Sequence, residues 1–232
     1  MLIAAALCAL LVAACDAQVG SAPSADIAAP HDAKPKPVRV TRAPLPGPPP
    51  PQAKLGVRAP DFTLSDLDGQ SFTLSQHLGK TVVLEWFNPE CPFVTRSHAQ
   101  GSLSDTALLA VKEGVVWVAI NSSGPGRQGH GTELNRVARA QLTLSHPILL
   151  DENGKVGRLY GARRTPQVFV VAPSGELVYR GAVDNSSDGE GKSAEGGKLV
   201  NYVKEALLAA RSGRDPKLAD TAPYGCGVKY AN

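Results

Sequence analysis

The sequence predicts an α/β fold in which helices flank a central mixed β-sheet. Three observations predict it: residues 80–87 and 115–120 are continuous apolar runs typical of buried central strands, a helical segment separates them, and shorter strands bounded by Gly and Pro turns lie on both sides. Since a strand, a helix and a second buried strand form a βαβ unit, we expect part of the sheet to be parallel.

An N-terminal β-hairpin opens the predicted domain. Residues 61–64 and 71–74 alternate polar and apolar side chains around a turn at Asp68-Gly69, which is typical of two antiparallel strands joined by a tight turn. The apolar run at 80–87 then predicts a buried central strand. Glu85 is the one acidic residue that interrupts this run.

A helix is predicted directly after this strand. Pro92 suits the first helical position, because its missing N–H has no partner there in any case, and this places Cys91 at the N-cap. The pattern predicts one continuous helix over 93–112, which Gly114 ends before the strand at 115–120.

The second half of the chain adds alternating helices and strands. We predict a helix over 132–140, a strand over 148–150, a short helix around 156–160, an antiparallel hairpin over 167–171 and 177–180, and a terminal helix over about 198–210. Thr165-Pro166 directly precedes the hairpin. The order β-α-β followed by β-β-α is that of the thioredoxin fold.

The first residues predict export. Residues 1–14 are almost wholly apolar and small, which is typical of a signal peptide, and the run is too short to span a bilayer. Val12-Ala13-Ala14-Cys15 resembles the lipobox of bacterial lipoproteins, which implies a lipid on Cys15; the alternative is a plain secreted leader. We therefore expect a protein of the periplasm whose membrane contact is a lipid anchor at Cys15.

Composition shifts divide the rest of the chain. Residues 15–54 are rich in Pro and Ala, with four consecutive prolines at 48–51, and predict a disordered tether. A thioredoxin-like domain is expected at 55–212, followed by a tail at 213–232. The formal net charge of +3 is scattered and forms no Lys/Arg stripe, so nucleic acid is excluded as a partner.

The cysteine count favours a single redox pair. Removal of Cys8 with the leader and lipidation of Cys15 leave Cys91 and Cys226 as the two thiols of the mature protein. A helix N-terminus favours a thiolate, which lowers the pKa of a cysteine from its usual value of about 8.5. Cys91 is therefore the predicted nucleophile, and a buried structural cysteine is the alternative.

The stretch from Glu85 to Val94 is similar to the active-site stretch of the peroxiredoxin-like group of thioredoxin-fold redoxins, in the alkyl hydroperoxide reductase and thiol-specific antioxidant superfamily. Further similar stretches follow in order at 121–123, 129–130, 149–151, 160–162 and 223–230. The sequence departs from relatives at two positions. Val94 stands where a thioredoxin has its second cysteine, and Asn88 stands where a true peroxiredoxin has a threonine.

The resemblance also implies roles for Glu85 and for Thr165-Pro166. Glu85 lies six residues before Cys91, where thioredoxins carry a buried acid that relays protons. Burial would raise the pKa of Glu85 and suit it to that task, and the alternative is an edge or ion-paired acid. Thr165-Pro166 resembles the cis-proline turn that packs against the active-site cysteine, and the alternative is an ordinary trans turn.

Cys226 is the expected resolving thiol. After Cys91 attacks a disulfide or peroxide substrate, Cys226 would form a Cys91–Cys226 disulfide that a protein or small thiol reductant reopens. The sequence thus predicts an exported thiol-disulfide oxidoreductase or peroxiredoxin-like antioxidant protein, with neither cofactor nor metal. The alternative is a non-catalytic envelope module in which the same disulfide is permanent and structural.

Overall fold

A computed structural model describes residues 52–231. The strands are β1 (Thr63–Asp66), β2 (Ser71–Thr73), β3 (Val82–Trp86), β4 (Val116–Asn121), β5 (Ile148–Leu150), β6 (Arg164–Thr165), β7 (Gln167–Val171), β8 (Leu177–Gly181) and β9 (Cys226–Gly227). The helices are α1 (Pro92–Ala99), α2 (Leu103–Lys112), α3 (Thr132–Gln141), α4 (Lys155–Tyr160) and α5 (Tyr202–Arg211). The predicted signal peptide, Cys15 and nearly all of the predicted tether lie outside the described residues.

Seven strands form the central sheet in the order β2-β1-β5-β4-β3-β7-β8. β3, β4 and β5 run parallel, while β1 pairs antiparallel with both β2 and β5, and β7 pairs antiparallel with both β3 and β8. β6 and β9 form a separate antiparallel pair. The predicted α/β fold, with its mixed central sheet and N-terminal hairpin, is confirmed.

β3 is the middle of the core, and every one of its residues is buried. Side chains alternate between the two faces of a strand, so Val82, Leu84 and Trp86 pack on one face, in the same cluster as residues of α4. Val83 packs on the other face with α2 and α5. Glu85 is in phase with Val83, which directs its carboxylate toward this second, helix-covered face.

The predicted helix over 93–112 is wrong in one respect, because the structure breaks it into α1 and α2. The break lies at Gly101, where an added Cβ would overlap the backbone carbonyl of Gly189. The Nε atom of Arg96 in α1 donates to the Asp188 carbonyl oxygen in the same distant loop, at 3.0 Å. Packing of this loop therefore interrupts a segment whose local pattern is continuously helical.

The terminal helix begins later than its pattern predicts, at Tyr202. Asn201 is its N-cap, and the side-chain oxygen of Asn201 accepts from the Lys204 amide at 2.9 Å. Near the first described residue, the Ala53 amide donates to the Leu159 carbonyl oxygen at 2.9 Å. The described chain therefore packs against the domain from Ala53 onward. None of the helices in residues 52–231 has the length and apolar character needed to cross a membrane.

Candidate active site at Cys91

Cys91 occupies the N-cap of α1, with Pro92 directly after it. Its backbone is extended (φ −85°, ψ 116°), and its amide donates to the Asn88 carbonyl at 3.1 Å. The sulfur packs among Phe87, Val94 and neighbouring side chains, and only 1% of the residue is exposed. The sequence-predicted N-cap position is therefore correct.

The turn that carries Cys91 is held by a buried polar network. The Asn88 side-chain amide donates to Ser123 Oγ at 3.3 Å and to the Gln128 carbonyl at 3.1 Å, and its oxygen accepts from the Glu90 amide at 2.8 Å. The Gly129 amide donates to the Glu90 carboxylate at 2.6 Å. Asn88, where a peroxiredoxin has Thr, thus ties the Cys91 turn to the loop that follows β4.

Thr165 and Pro166 lie against Cys91, and the bond between them is cis, the isomer that the resemblance implies. The Cys91 thiol donates to the Thr165 carbonyl oxygen at 3.1 Å. β9 pairs with β6 so that Cys226 lies opposite Thr165. The structure therefore brings together four of the predicted site residues, from three separate parts of the chain: Cys91, Thr165, Pro166 and Cys226.

Both cysteines are free thiols, and their pKa values shift in opposite directions. Burial acts to raise the pKa of Cys91, but the adjacent polar groups of Cys226, Thr165 and Val94 favour the thiolate more strongly, so the pKa is lowered. Burial and the adjacent Cys91 raise the pKa of Cys226 to about 11. Cys91 is therefore the more acidic thiol of the pair.

Glu85 lies in a second cluster, fully buried beneath α1. One carboxylate oxygen is 2.7 Å from Nε2 of His98, and the other accepts from Trp117 Nε1 at 3.0 Å. Burial acts to raise the pKa of Glu85, but the charge and hydrogen bond of His98 outweigh it and the pKa is lowered. The expectation of a raised pKa is wrong, because a carboxylate with buried donors is not simply a desolvated one.

His146 completes this cluster. Its Nε2 is 4.0 Å from the Glu85 carboxylate, and burial lowers the pKa of His146 to about 4. Neither ring nitrogen has a hydrogen-bond partner within the described part of the chain. Within residues 52–231, no three His, Cys, Asp or Glu side chains are arranged to hold a metal ion.

Sequence reasoning did not find the partners of Glu85. An acid inside an apolar strand signals that buried donors exist, but it does not say which residues supply them. The structure identifies them as His98 and Trp117, and it places His146 nearby as a third polar neighbour without a hydrogen bond. The ring of His98 also contacts Phe87 at a centroid distance of 6.2 Å, and Phe87 packs in the same cluster as Cys91, so this contact connects the two clusters.

The model of the Redoxin family matches residues 54–197 of the chain, well over half of its length. This match agrees with the sequence resemblance to thioredoxin-fold redoxins. A thiol-disulfide oxidoreductase, ResA, from Geobacillus thermodenitrificans is 29% identical over 124 residues, which cover 53% of this chain and 66% of the relative. The chain thus spans just under two thirds of the length of that relative.

Two further similarities cover more of the chain. A selenocysteine-containing peroxiredoxin, PrxU, from Peptoclostridium acidaminophilum is 26% identical over 182 residues, which cover 74% of this chain and 84% of the relative. The crystal structure of a hypothetical protein from Sinorhizobium meliloti superposes with a TM-score of 0.65 at 28% identity, over 78% of this chain and 96% of that one.

Proposed function

Because the chain belongs to the Redoxin family, we propose that it is a thiol-disulfide oxidoreductase in which Cys91 attacks and Cys226 resolves. The observation that carries the proposal is that the two cysteines lie together. Cys226 is paired opposite Thr165, packs against the cluster that contains Cys91, and lowers the pKa of Cys91. The similarity to a ResA thiol-disulfide oxidoreductase supports the same reaction.

The proposed cycle has two exchange steps. The Cys91 thiolate attacks one sulfur of a substrate disulfide, forms a mixed disulfide and releases the other sulfur as a thiolate. Cys226 then attacks the Cys91 sulfur, which forms the Cys91–Cys226 disulfide and releases the second substrate thiol. A protein or small thiol reductant returns both cysteines to thiols.

The pKa shifts support this division of roles. A pKa of about 11 keeps Cys226 protonated at neutral pH, while the lowered pKa of Cys91 favours its thiolate. Once Cys91 is in a mixed disulfide, its negative charge is gone and it no longer raises the pKa of Cys226. Cys226 therefore becomes more acidic at the step in which it must attack.

Thr165, Pro166 and Glu85 have supporting roles in this proposal. The Thr165 hydroxyl is buried without a hydrogen-bond partner among residues 52–231, so it is available to donate to a Cys91 thiolate, and Pro166 fixes the backbone beside it. Glu85 acts through His98, whose position fixes the helix that begins at Cys91. This is a positioning role, because the lowered pKa of Glu85 does not suit proton exchange near neutral pH.

Peroxide is the second candidate substrate. The similarity to the PrxU peroxiredoxin covers more of both chains than the similarity to ResA, which favours it. The side chain of Asn88 argues against it, because its amide and its oxygen are both engaged in holding the Cys91 turn. We therefore place disulfide substrates first and peroxide second.

Export and lipidation at Cys15 are part of the proposal and rest on residues 1–15 alone. An oxidising compartment supplies disulfide substrates and lets a thiol pair cycle. Labelling of the cellular protein with a radioactive fatty acid tests this part. A Cys15→Ser variant is expected to lose the label, and equal labelling of that variant would contradict lipidation.

The redox potential of the Cys91–Cys226 pair tests the central proposal. Mature protein is equilibrated in a graded thiol buffer, alkylated, and analysed by mass spectrometry. A reversible pair is expected, with Cys226→Ser trapping mixed disulfides and Cys91→Ser forming none. A disulfide that opens only below about −300 mV would favour the structural alternative, and thiols that never pair would refute both.

A further inference from the structure

The Cys91 sulfur is covered in the structure, although its proposed reaction requires contact with a second sulfur. Only 1% of Cys91 is exposed, and Thr165 beside it is equally buried. Exchange requires the attacking thiolate to reach a sulfur of the substrate, so its rate depends on access. The group that covers the sulfur must therefore move before an external disulfide can react.

That cover is the segment of residues 224–231, which we call the strap. It runs along β6, with Cys226 opposite Thr165 and Gly227 opposite Arg164. The Val228 amide extends the pairing by donating to the Arg163 carbonyl at 3.2 Å. An extended polypeptide adds to a strand through the same backbone groups, so the strap and such a substrate cannot occupy β6 together.

Contacts at both ends hold the strap down. Before Cys226, the Tyr224 hydroxyl donates to the Asp184 carboxylate at 2.9 Å. After it, the Lys229 carbonyl accepts from the Gly124 amide at 2.9 Å, and the Tyr230 hydroxyl donates to the Ala162 carbonyl at 2.8 Å. None of these three contacts involves either sulfur.

Gly225 makes the close fit at Thr165 possible. Its φ is +101°, a conformation that residues with a Cβ rarely adopt, and an added Cβ would overlap the Thr165 carbonyl oxygen. Gly227, on the other side of Cys226, has open space around its Cβ position and no positive φ. Gly225 is therefore required for the strap to pair closely with β6, and Gly227 is not, so a substitution of Gly227 is the matched control.

We propose that the strap is a built-in competitor for an extended polypeptide substrate, which reaches Cys91 only by displacing residues 225–228 from β6. The proposal rests on the function proposed above and adds the substrate class and the order of events. The Cys91 thiolate joins the polypeptide cysteine and expels its former partner as a thiolate. The strap then returns to β6 and displaces the polypeptide strand, and the Cys226 thiolate attacks Cys91 and releases the polypeptide thiol.

The pH profile of Cys91 alkylation by iodoacetamide, in reduced full-length protein, tests the cover. Mass spectrometry follows the Cys91 peptide alone; the midpoint of the profile reports the pKa and its upper plateau reports access. Gly225→Ala is expected to raise the plateau about tenfold, the equivalent of about 1.4 kcal/mol. Gly227→Ala, which adds the same methyl group in open space, is expected to keep the wild-type plateau.

Tyr224→Phe is a second test in case Gly225→Ala does not fold. It removes the one hydroxyl that contacts Asp184 and leaves the backbone unchanged. It is expected to raise the plateau by a smaller factor in the same direction. A wild-type plateau as high as that of an unfolded chain, or equal plateaus in all variants, would overturn the proposal. Alkylation needs no redox turnover, so the outcome is separate from whether the protein reduces disulfides.

A peptide tests the substrate class. The synthetic peptide has the sequence of residues 222–230 with Cys226→Ser, and it is added to the Gly225→Ala protein. It is expected to lower the alkylation plateau of Cys91 again by occupying β6, whereas a scrambled peptide of the same composition is not. Equal effects of the two peptides would show that β6 does not take an extended polypeptide, and would refute this part.

Discussion

Removal of the Cys226 thiol should make Cys91 less acidic. The Cys226 side chain is the largest of the contributions that lower the pKa of Cys91. A hydrogen bond to a charged group contributes about 1.5–3 kcal/mol, and one pKa unit corresponds to about 1.36 kcal/mol. Cys226→Ala should therefore raise the pKa of Cys91 and destabilise its thiolate by about 1.5–3 kcal/mol. Partial entry of water into the space left by the thiol opposes this change and favours the lower figure.

Cys226→Ser is the matched variant, because its hydroxyl still donates and occupies nearly the same space. The pH dependence of Cys91 alkylation, followed on its own peptide, gives the pKa in each variant from the midpoint, whatever the access. The midpoint of the profile in Cys226→Ser should remain close to that of the wild type, and the midpoint in Cys226→Ala should lie at higher pH. Equal midpoints in the two variants, or a downward shift in Cys226→Ala, would refute the reasoning that Cys226 activates Cys91.

Two further predictions concern the cluster around Glu85. His98→Ala leaves a buried carboxylate without its closest partner and should lower the free energy of unfolding, measured in urea titrations, by about 3–5 kcal/mol. His130→Ala, at a partly exposed pair with Glu152, should lower it by less than about 1 kcal/mol. Similar losses in the free energy of unfolding of the two variants would contradict the pairing of His98 with Glu85. The pKa of His146 is lowered from 6.5 to about 4, so the unfolded state binds more protons in that window and stability should fall as the pH is lowered through it, by up to about 3 kcal/mol. His146→Leu should remove most of this fall, and an unchanged pH slope would refute the assignment.

Local patterns predict much of this fold because the patterns are set by short-range physics. The apolar run of β3, the turn at Asp68-Gly69 and Pro92 at the first helical position each depend on neighbouring residues alone. The break between α1 and α2 could not be predicted in this way. It depends on Gly189, which lies almost ninety residues beyond Gly101 in the chain.

In the candidate site too, neighbouring residues predict some features and distant contacts determine the others. Cys91 could be placed from its position between a strand and Pro92, and Thr165-Pro166 from the resemblance. The path of residues 224–231 has no periodic pattern, because hydrogen bonds from several different elements determine it. The direction of the Glu85 pKa shift also depends on a helix residue, His98, that no spacing rule assigns to it.

The pairing of β9 with β6 has a consequence for the order in which the site is completed during synthesis. Cys226 lies sixty-one residues after Thr165, its partner in the pairing, so the ribosome makes it long after α1 and β6. Until residues 224–231 pair with β6, Cys91 therefore lacks both its second thiol and the segment that covers it. One late pairing event supplies the two together.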